Sequence, residues 1–186
     1  ELNPGARLRR NGYSVSTALA KHDITCLAYA LEEGERPGRF HPDRARRLGV
    51  PEGPLWKALQ QGKSVKVDAG QVAPRQVVDP PRRGLKVVYA IDTRPCVGVR
   101  SLARRADLLI HDGGFAEDRR DKAREYFHST AREAATLAKS ASCHKLALVH
   151  ISAVTRDDSI LSREAKRVFR NSIVPKDLTT LSLKRP

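Results

Sequence analysis

Aromatic residues make up only 5% of this 186-residue chain. A buried core must therefore be built from Val, Leu, Ile and Ala, as in buried strands flanked by helices. Only three cysteines occur, Cys26, Cys96 and Cys143. They are widely spaced, with no C-x-x-C pair, which excludes a thiolate zinc knuckle or a dithiol redox motif and suits a reducing, cytoplasmic setting. No run of about 18 apolar residues is present, so no membrane-spanning helix is expected. The opening Glu1-Leu-Asn-Pro-Gly5 has neither an initiating Met nor the apolar stretch of a signal peptide. It reads as the interior of a longer protein. Acidic residues are also in deficit, 21 against 35 Lys and Arg, for a formal charge of +14. Such an excess favours a polyanionic partner, because each phosphate neutralised releases condensed counterions. Adaptation to salt or heat is the alternative.

The length suits one domain with a sizeable core. Asn11-Gly12 signals a turn, Tyr13 to Leu19 alternates as a half-buried strand running on to His22, and Ile24 to Leu31 reads as a second strand. From Glu32 to about Pro81 the composition shifts to Pro, Gly and Arg, with a short helix around Asp43 to Leu48. This stretch, 32–81, is expected to be an insertion with little core of its own. Regular α/β alternation follows. Strands are expected at Lys86–Asp92, Ala106–Asp112, Lys145–His150 and Leu178–Leu183. Helices are expected at Val97–Arg105, Thr130–Ala141 and Ser159–Phe169, the second opened by a Thr130-x-x-Glu133 capping box. No internal repeat or low-complexity tail is visible.

Three successive strands thus end on side chains able to bind metal: Asp92, His111-Asp112 and His150. Sites collect where such strands end, because the loops leaving them converge on one edge. Singly, each residue is more simply a helix cap, a surface histidine or a satisfied core histidine. Together with His22 after an earlier strand and His128 before a capped helix, they suggest a hydrolytic site. Oxygen and imidazole donors without thiolates suit Zn²⁺, with Mn²⁺ or Mg²⁺ as alternatives. His111 should face away from Asp112 and be structural. His41 and His144 are read as surface residues, and the cysteines as small buried hydrophobes.

Val88-Tyr-Ala-Ile-Asp-Thr-Arg-Pro-Cys96, Ala106-Asp-Leu-Leu-Ile-His-Asp112, Tyr126-Phe-His-Ser-Thr130 and Leu148-Val-His-Ile-Ser152 resemble successive motifs of the ribonuclease Z family. His22 before Cys26-Leu-Ala-Tyr-Ala-Leu-Glu-Glu33 is similar to the histidine preceding that family's Gly-Tyr strand. The wording leans towards archaeal forms. The resemblance covers nearly the whole chain and implies the C-terminal portion of a metallo-β-lactamase fold, an α/β architecture built as an αβ/βα sandwich with an inserted basic arm. It implies an endoribonuclease that removes the 3′ trailer of precursor tRNA by two-metal hydrolysis. His22 and His150 would each ligate one metal and Asp92 would bridge them. His128 would protonate the leaving 3′ oxygen, oriented by Asp112. Residues 32–81 would be the tRNA-gripping arm, through Arg36, Arg39, Phe40, Arg44, Arg47, Gly53, Pro54, Trp56 and Lys57, since arginine binds phosphate and aromatics offer stacking surface. A homodimer is implied, one subunit's arm holding tRNA for the other's site.

The sequence departs from that family at four places. His111-Asp-Gly-Gly114 stands where the family shows His-Glu-Ala-Thr, so the orienting carboxylate is one methylene shorter. Ile91 replaces the Gly before the bridging Asp and is expected to crowd a tight turn. Val154-Thr155 stands where Arg-Tyr is usual. No His-x-His-x-Asp-His occurs, the motif that supplies the family's remaining ligands upstream of the His22 equivalent. Two other readings therefore stay open: a tRNA-binding piece without activity, and another hydrolase of the same fold. The arm speaks against the latter.

Overall fold

The apolar runs before Asp92, Asp112 and His150 become neighbouring parallel strands in the computed structural model, which describes residues 2–153, 155 and 157–185. Glu1 and Val154, on which two of the sequence readings fall, lie outside the described residues. Along the chain come β1 (Arg7–Arg10), β2 (Tyr13–Leu19) and β3 (Leu27–Glu33). Next are α1 (Pro42–Arg47), α2 (Pro54–Gln60), β4 (Val65–Val67) and β5 (Gly70–Val72). Then follow β6 (Lys86–Ala90), α3 (Val97–Leu102), β7 (Leu108–Asp112), α4 (Arg120–Glu125), α5 (Ala131–Ser140), β8 (Leu146–Val149), α6 (Asp158–Val168) and β9 (Ser172–Ile173).

These elements form two compact units, residues 1–33 with 85–185, and residues 34–84. The first is built on a seven-stranded sheet in the order β1-β2-β3-β6-β7-β8-β9. β1, β2, β3 and β6 pair antiparallel in sequence, and β6 to β9 run parallel. One sheet face, carrying Ala28, Ala30, Val88, Ala90, Leu109, Leu146 and Leu148, is buried in a core with Val99 of α3, Ala134, Ala135 and Ala138 of α5, and Leu161 and Ala165 of α6. The small alanines let helix and sheet approach closely, which is how a chain poor in aromatics still builds a dense core. Cys143 belongs to this core, and burial lifts its thiol to about 11.

The opposite face is different. Tyr29 and Tyr89 pair across β3 and β6 and remain 40% and 44% exposed, with Leu31 at 46% and Leu19 at 51%. Strand alternation puts these residues on one side, and that side is apolar yet open to solvent among the described residues.

The expected strand at Leu178–Leu183 is not formed. Those residues carry no ladder, and the place beside β8 is taken by Ser172–Ile173. No helix among the described residues is long and apolar enough to cross a membrane.

Residues 34–84 carry a core of their own, in contrast to the expectation from composition. It consists of Ala45, Val50, Leu59, Val65, Val72 and Val77, with Phe40 and Trp56 packed against it. A second helix, α2, starts at Pro54 with Gly53 at its N-cap in a φ of 129°, which only glycine adopts readily.

Candidate active site

β6 ends two residues before Asp92, β7 ends on Asp112, and β8 ends one residue before His150. Their parallel registers align these three ends on one edge of the sheet. Donor atoms of Asp92, Asp112, His128 and His150 all lie within 4.8 Å of one another. His150 Nδ1 is 3.1 Å from Asp92 Oδ1 and 3.7 Å from Asp112 Oδ2.

Asp92 and His150 have φ values of 48° and 58°. Side chains with a Cβ seldom adopt this left-handed region, though Asp and His do so more readily than most. Such backbone costs roughly 1–3 kcal/mol per residue and concentrates at functional sites. The positive φ falls on Asp92 itself and not on Ile91, so the turn does not force a β-branched residue into the left-handed region.

Asp112 is fully buried and accepts a hydrogen bond from His128 Nδ1 at 2.7 Å. Its oxygens also accept from the backbone N–H of Thr93 at 3.3 Å and of Ser129 at 3.4 Å. The shorter aspartate therefore reaches the imidazole. With Nδ1–H held by a carboxylate, Nε2 is the nitrogen of His128 left to take or give a proton.

The loop holding His128 is fastened from several sides. Ser129 Oγ donates to the Thr93 carbonyl at 2.6 Å. Thr130 caps α5 and exchanges hydrogen bonds with Glu133, as its capping box predicts. Arg94 donates from Nη1 to the His128 carbonyl at 2.7 Å and from Nη2 to Glu133 Oε1 at 2.5 Å. Nothing in the spacing of the sequence marks Arg94 for this task. The capping box was the one readable part of the network.

His22 lies in the loop between β2 and β3, outside the four-residue group. Its ring is 5.4 Å from that of His128 and 6.1 Å from that of Phe127. His22 Nδ1 lies against the Asp23 carboxylate without hydrogen-bond geometry and is buried with no partner. His111 faces the core, as alternation requires. Burial holds its pKa below the ordinary value, and its Nδ1 donates to the Asp112 carbonyl at 2.6 Å.

The donor set fits a hard or borderline divalent ion: imidazole nitrogens and carboxylate oxygens, with no thiolate. Asp112 is enclosed and engaged in three hydrogen bonds. Asp92 and His150, with side chains 39% and 44% exposed, are the donors that remain open.

In residues 34–84, Arg39, Arg44, Arg47 and Lys57 are exposed, as are Gly53 and Pro54. Arg36 is half-buried, and its Nε and Nη2 are buried without partners. The aromatics Phe40 and Trp56 are half-buried. Phe40 and Trp56 pack with ring centroids 5.1 Å apart, Trp56 Nε1 donates to the Val50 carbonyl, and the Arg46 guanidinium covers the Trp56 ring at 5.2 Å. Both rings pack against the unit's core. His41 is paired with Asp79 at 2.7 Å.

No family model matches the chain. A curated ribonuclease Z of Methanosarcina acetivorans is 46% identical over 184 residues, covering 98% of this chain and 60% of that protein. The chain thus spans about three fifths of the length of such relatives. Among solved structures, the metallo-β-lactamase fold protein YhfI from Bacillus subtilis aligns with a TM-score of 0.60 at 19% identity, over 94% of this chain and 52% of that one. The short form of human tRNase Z aligns with a TM-score of 0.54 at 19% identity, over 95% of this chain and 46% of that one.

Proposed function

In sequence the chain is a relative of ribonuclease Z and in fold a metallo-β-lactamase-type protein, and from that premise we propose that it carries part of a tRNA 3′-processing endoribonuclease site. The observation that carries the reading is the convergence of Asp92, Asp112, His128 and His150 within 4.8 Å at the ends of parallel strands, with Asp112 holding Nδ1 of His128. His22, Asp92 and His150 would hold divalent metal, with zinc the ion that best suits the donors. Bound there, the metal would supply Lewis-acid stabilisation of charge developing on the scissile phosphodiester.

His128 does the proton chemistry in this proposal. Asp112 fixes its orientation and, by accepting from Nδ1–H, stabilises the imidazolium, whose Nε2–H protonates the leaving 3′ oxygen as water bonds to phosphorus and the P–O3′ bond breaks. The exposed Arg39, Arg44, Arg47 and Lys57 of residues 34–84 grip the precursor tRNA by its phosphates, as an arm that serves a partner subunit in a homodimer. A cytoplasmic setting, where precursor tRNA and free thiols coexist, goes with this reading.

Three donors are too few for two ions of four or more ligands each. The remaining ligands are proposed to come from the stretch of the relatives that has no counterpart in these 186 residues. The chain alone is then expected to bind zinc weakly and leave precursor tRNA intact. A chimera joining the unmatched stretch of the Methanosarcina acetivorans protein to this chain is expected to cut. In that chimera His128→Ala should lower kcat by about 10²–10⁴-fold with zinc content unchanged, whereas Asp92→Ala should lower both. Efficient cleavage by the isolated chain would overturn the division of the site. Zinc loss on His128→Ala would move His128 into the ligand set.

A further inference from the structure

A cavity of about 530 Å³ adjoins the site and is lined by five cationic side chains, Lys21, Arg94, Arg100, Arg120 and Arg132, against one carboxylate, Glu133. Glu133 is already engaged, by Arg94 through Oε1 and by the Thr130 N–H through Oε2. Arg94 is matched by Glu133 and Arg120 by Glu117, and Arg132 lies near Glu164, so the excess positive charge of the cavity rests on Lys21 and Arg100 with Arg132 beside them. Lys21 and Arg100 make no side-chain hydrogen bond or ion pair among the described residues. Arg120 pairs with Glu117, but its Nε is buried without a partner. Clustered cations with so little counter-charge repel one another and are stabilised when an anion enters.

The cavity is joined to the site by the backbone. Lys21 precedes His22, Arg94 follows Asp92 by two residues, and the two are paired, Arg94 N–H donating to the Lys21 carbonyl at 2.9 Å. Arg94 also holds the His128 carbonyl. Pro95, Val97 and Leu137 add apolar side chains to the lining. A lining of cations and apolar side chains together, in a volume within the range of small-ligand pockets, matches a phosphate that carries a flat, partly apolar base rather than a bare inorganic ion.

We propose that this cavity is a nucleotide subsite, holding one unpaired nucleotide of the RNA strand that adjoins the scissile bond. Its phosphate meets Lys21, Arg100, Arg120 and Arg132, and its base or ribose lies against Pro95, Val97 and Leu137. The identity of the strand rests on the nuclease reading above; the anion subsite itself does not.

The test uses the unmodified 186-residue chain and a fluorescein-labelled five-nucleotide single-stranded RNA, with affinity read by anisotropy. Arg100→Glu with Arg132→Glu should weaken binding at least tenfold and lower the slope of log affinity against log salt by about 1. Arg9→Glu with Arg10→Glu, an equal change of net charge on the exposed strand β1, should cost less than threefold. On the unsubstituted chain, a 4-thiouridine version of the same RNA should crosslink to peptides containing Arg94–Arg100 or Arg132–Ser140. Equal losses in the two double variants overturn the proposal, as do absent binding or crosslinks confined to residues 34–84. If these results hold while the chimera leaves precursor tRNA uncut, the nuclease reading falls and the nucleotide subsite stands.

Discussion

Asp112 is the residue on which the largest number of site contacts converge. Its side chain is wholly buried, and its two oxygens accept from His128 Nδ1, Thr93 N–H and Ser129 N–H. A carboxylate removed from water is tolerated only when its lone pairs are satisfied in this way. Asp112→Ala should therefore leave two backbone N–H groups and an imidazole without their acceptor. We expect a loss of roughly 3 kcal/mol, since hydrogen bonds to a charged group contribute about 1.5–3 kcal/mol each and part of the loss is relieved by solvent. Asp112→Asn, which keeps size and one acceptor oxygen, should fall between. Urea denaturation of the isolated chain followed by circular dichroism measures both. Wild-type stability in Asp112→Ala would remove Asp112 from its place as organiser of the His128 loop. The sequence made Asp112 visible because an apolar run ended on it. It could not show that the shorter side chain still reaches His128, since that depends on how close two loops approach in space.

Those loops belong to the element scale, where glycine decides the spacing. A Cβ at Gly114 would lie 2.0 Å from the His150 carbonyl oxygen and 2.8 Å from Ser152 N. Both are backbone atoms and cannot rotate away. Gly114 also accepts from Ser152 N–H and Thr155 Oγ1, so the loop after β7 is stitched to the loop that presents His150. The His111-Asp-Gly-Gly114 departure thus has a structural reason: this chain brings the two loops into backbone contact. Gly114→Ala should destabilise by about 1–3 kcal/mol through overpacking and shift the His150 ring resonances in an NMR titration-free spectrum. Gly113→Ala, whose Cβ would meet the side-chain atom Leu148 Cδ2 at 2.4 Å and no backbone atom, should cost less. The reverse ranking would show that the close approach is unimportant. Elements with strong local signals were readable, namely the parallel strands, the capped α5 and the amphipathic α6. β1, α4 and the two-residue β9 were not, because short pieces draw their stability from neighbours and not from their own pattern. Leu178–Leu183 alternates as a strand should, but a strand needs an edge to pair with, and β9 occupies the one beside β8.

At the scale of the molecule, the sheet is covered unequally. Helices bury one face, while Leu19, Tyr29, Leu31 and Tyr89 leave an apolar, solvent-open patch on the other. Large contiguous apolar patches on soluble proteins mark surfaces that something else covers. The chain matches 60% of the length of its ribonuclease Z relative, and under the function proposed above the unmatched stretch would be the occupant of this face and would also bring the remaining ligands. One surface then accounts for both deficits, since whatever packs there is held near the strand ends where Asp92, Asp112 and His150 converge. The isolated chain is accordingly expected to bind Nile red, a neutral dye chosen because so cationic a protein attracts anionic dyes whatever its apolar surface. The chimera with the unmatched stretch should not bind it. Leu31→Lys with Tyr89→Lys should abolish dye binding by the isolated chain with little change in far-ultraviolet circular dichroism, because both residues sit on the open face. In the chimera the same pair should cost several kcal/mol, as each buried, unpaired ammonium must be desolvated, and should remove zinc binding and cleavage together. Equal dye binding by chain and chimera would place the missing stretch elsewhere and leave the half-site to be completed from another direction.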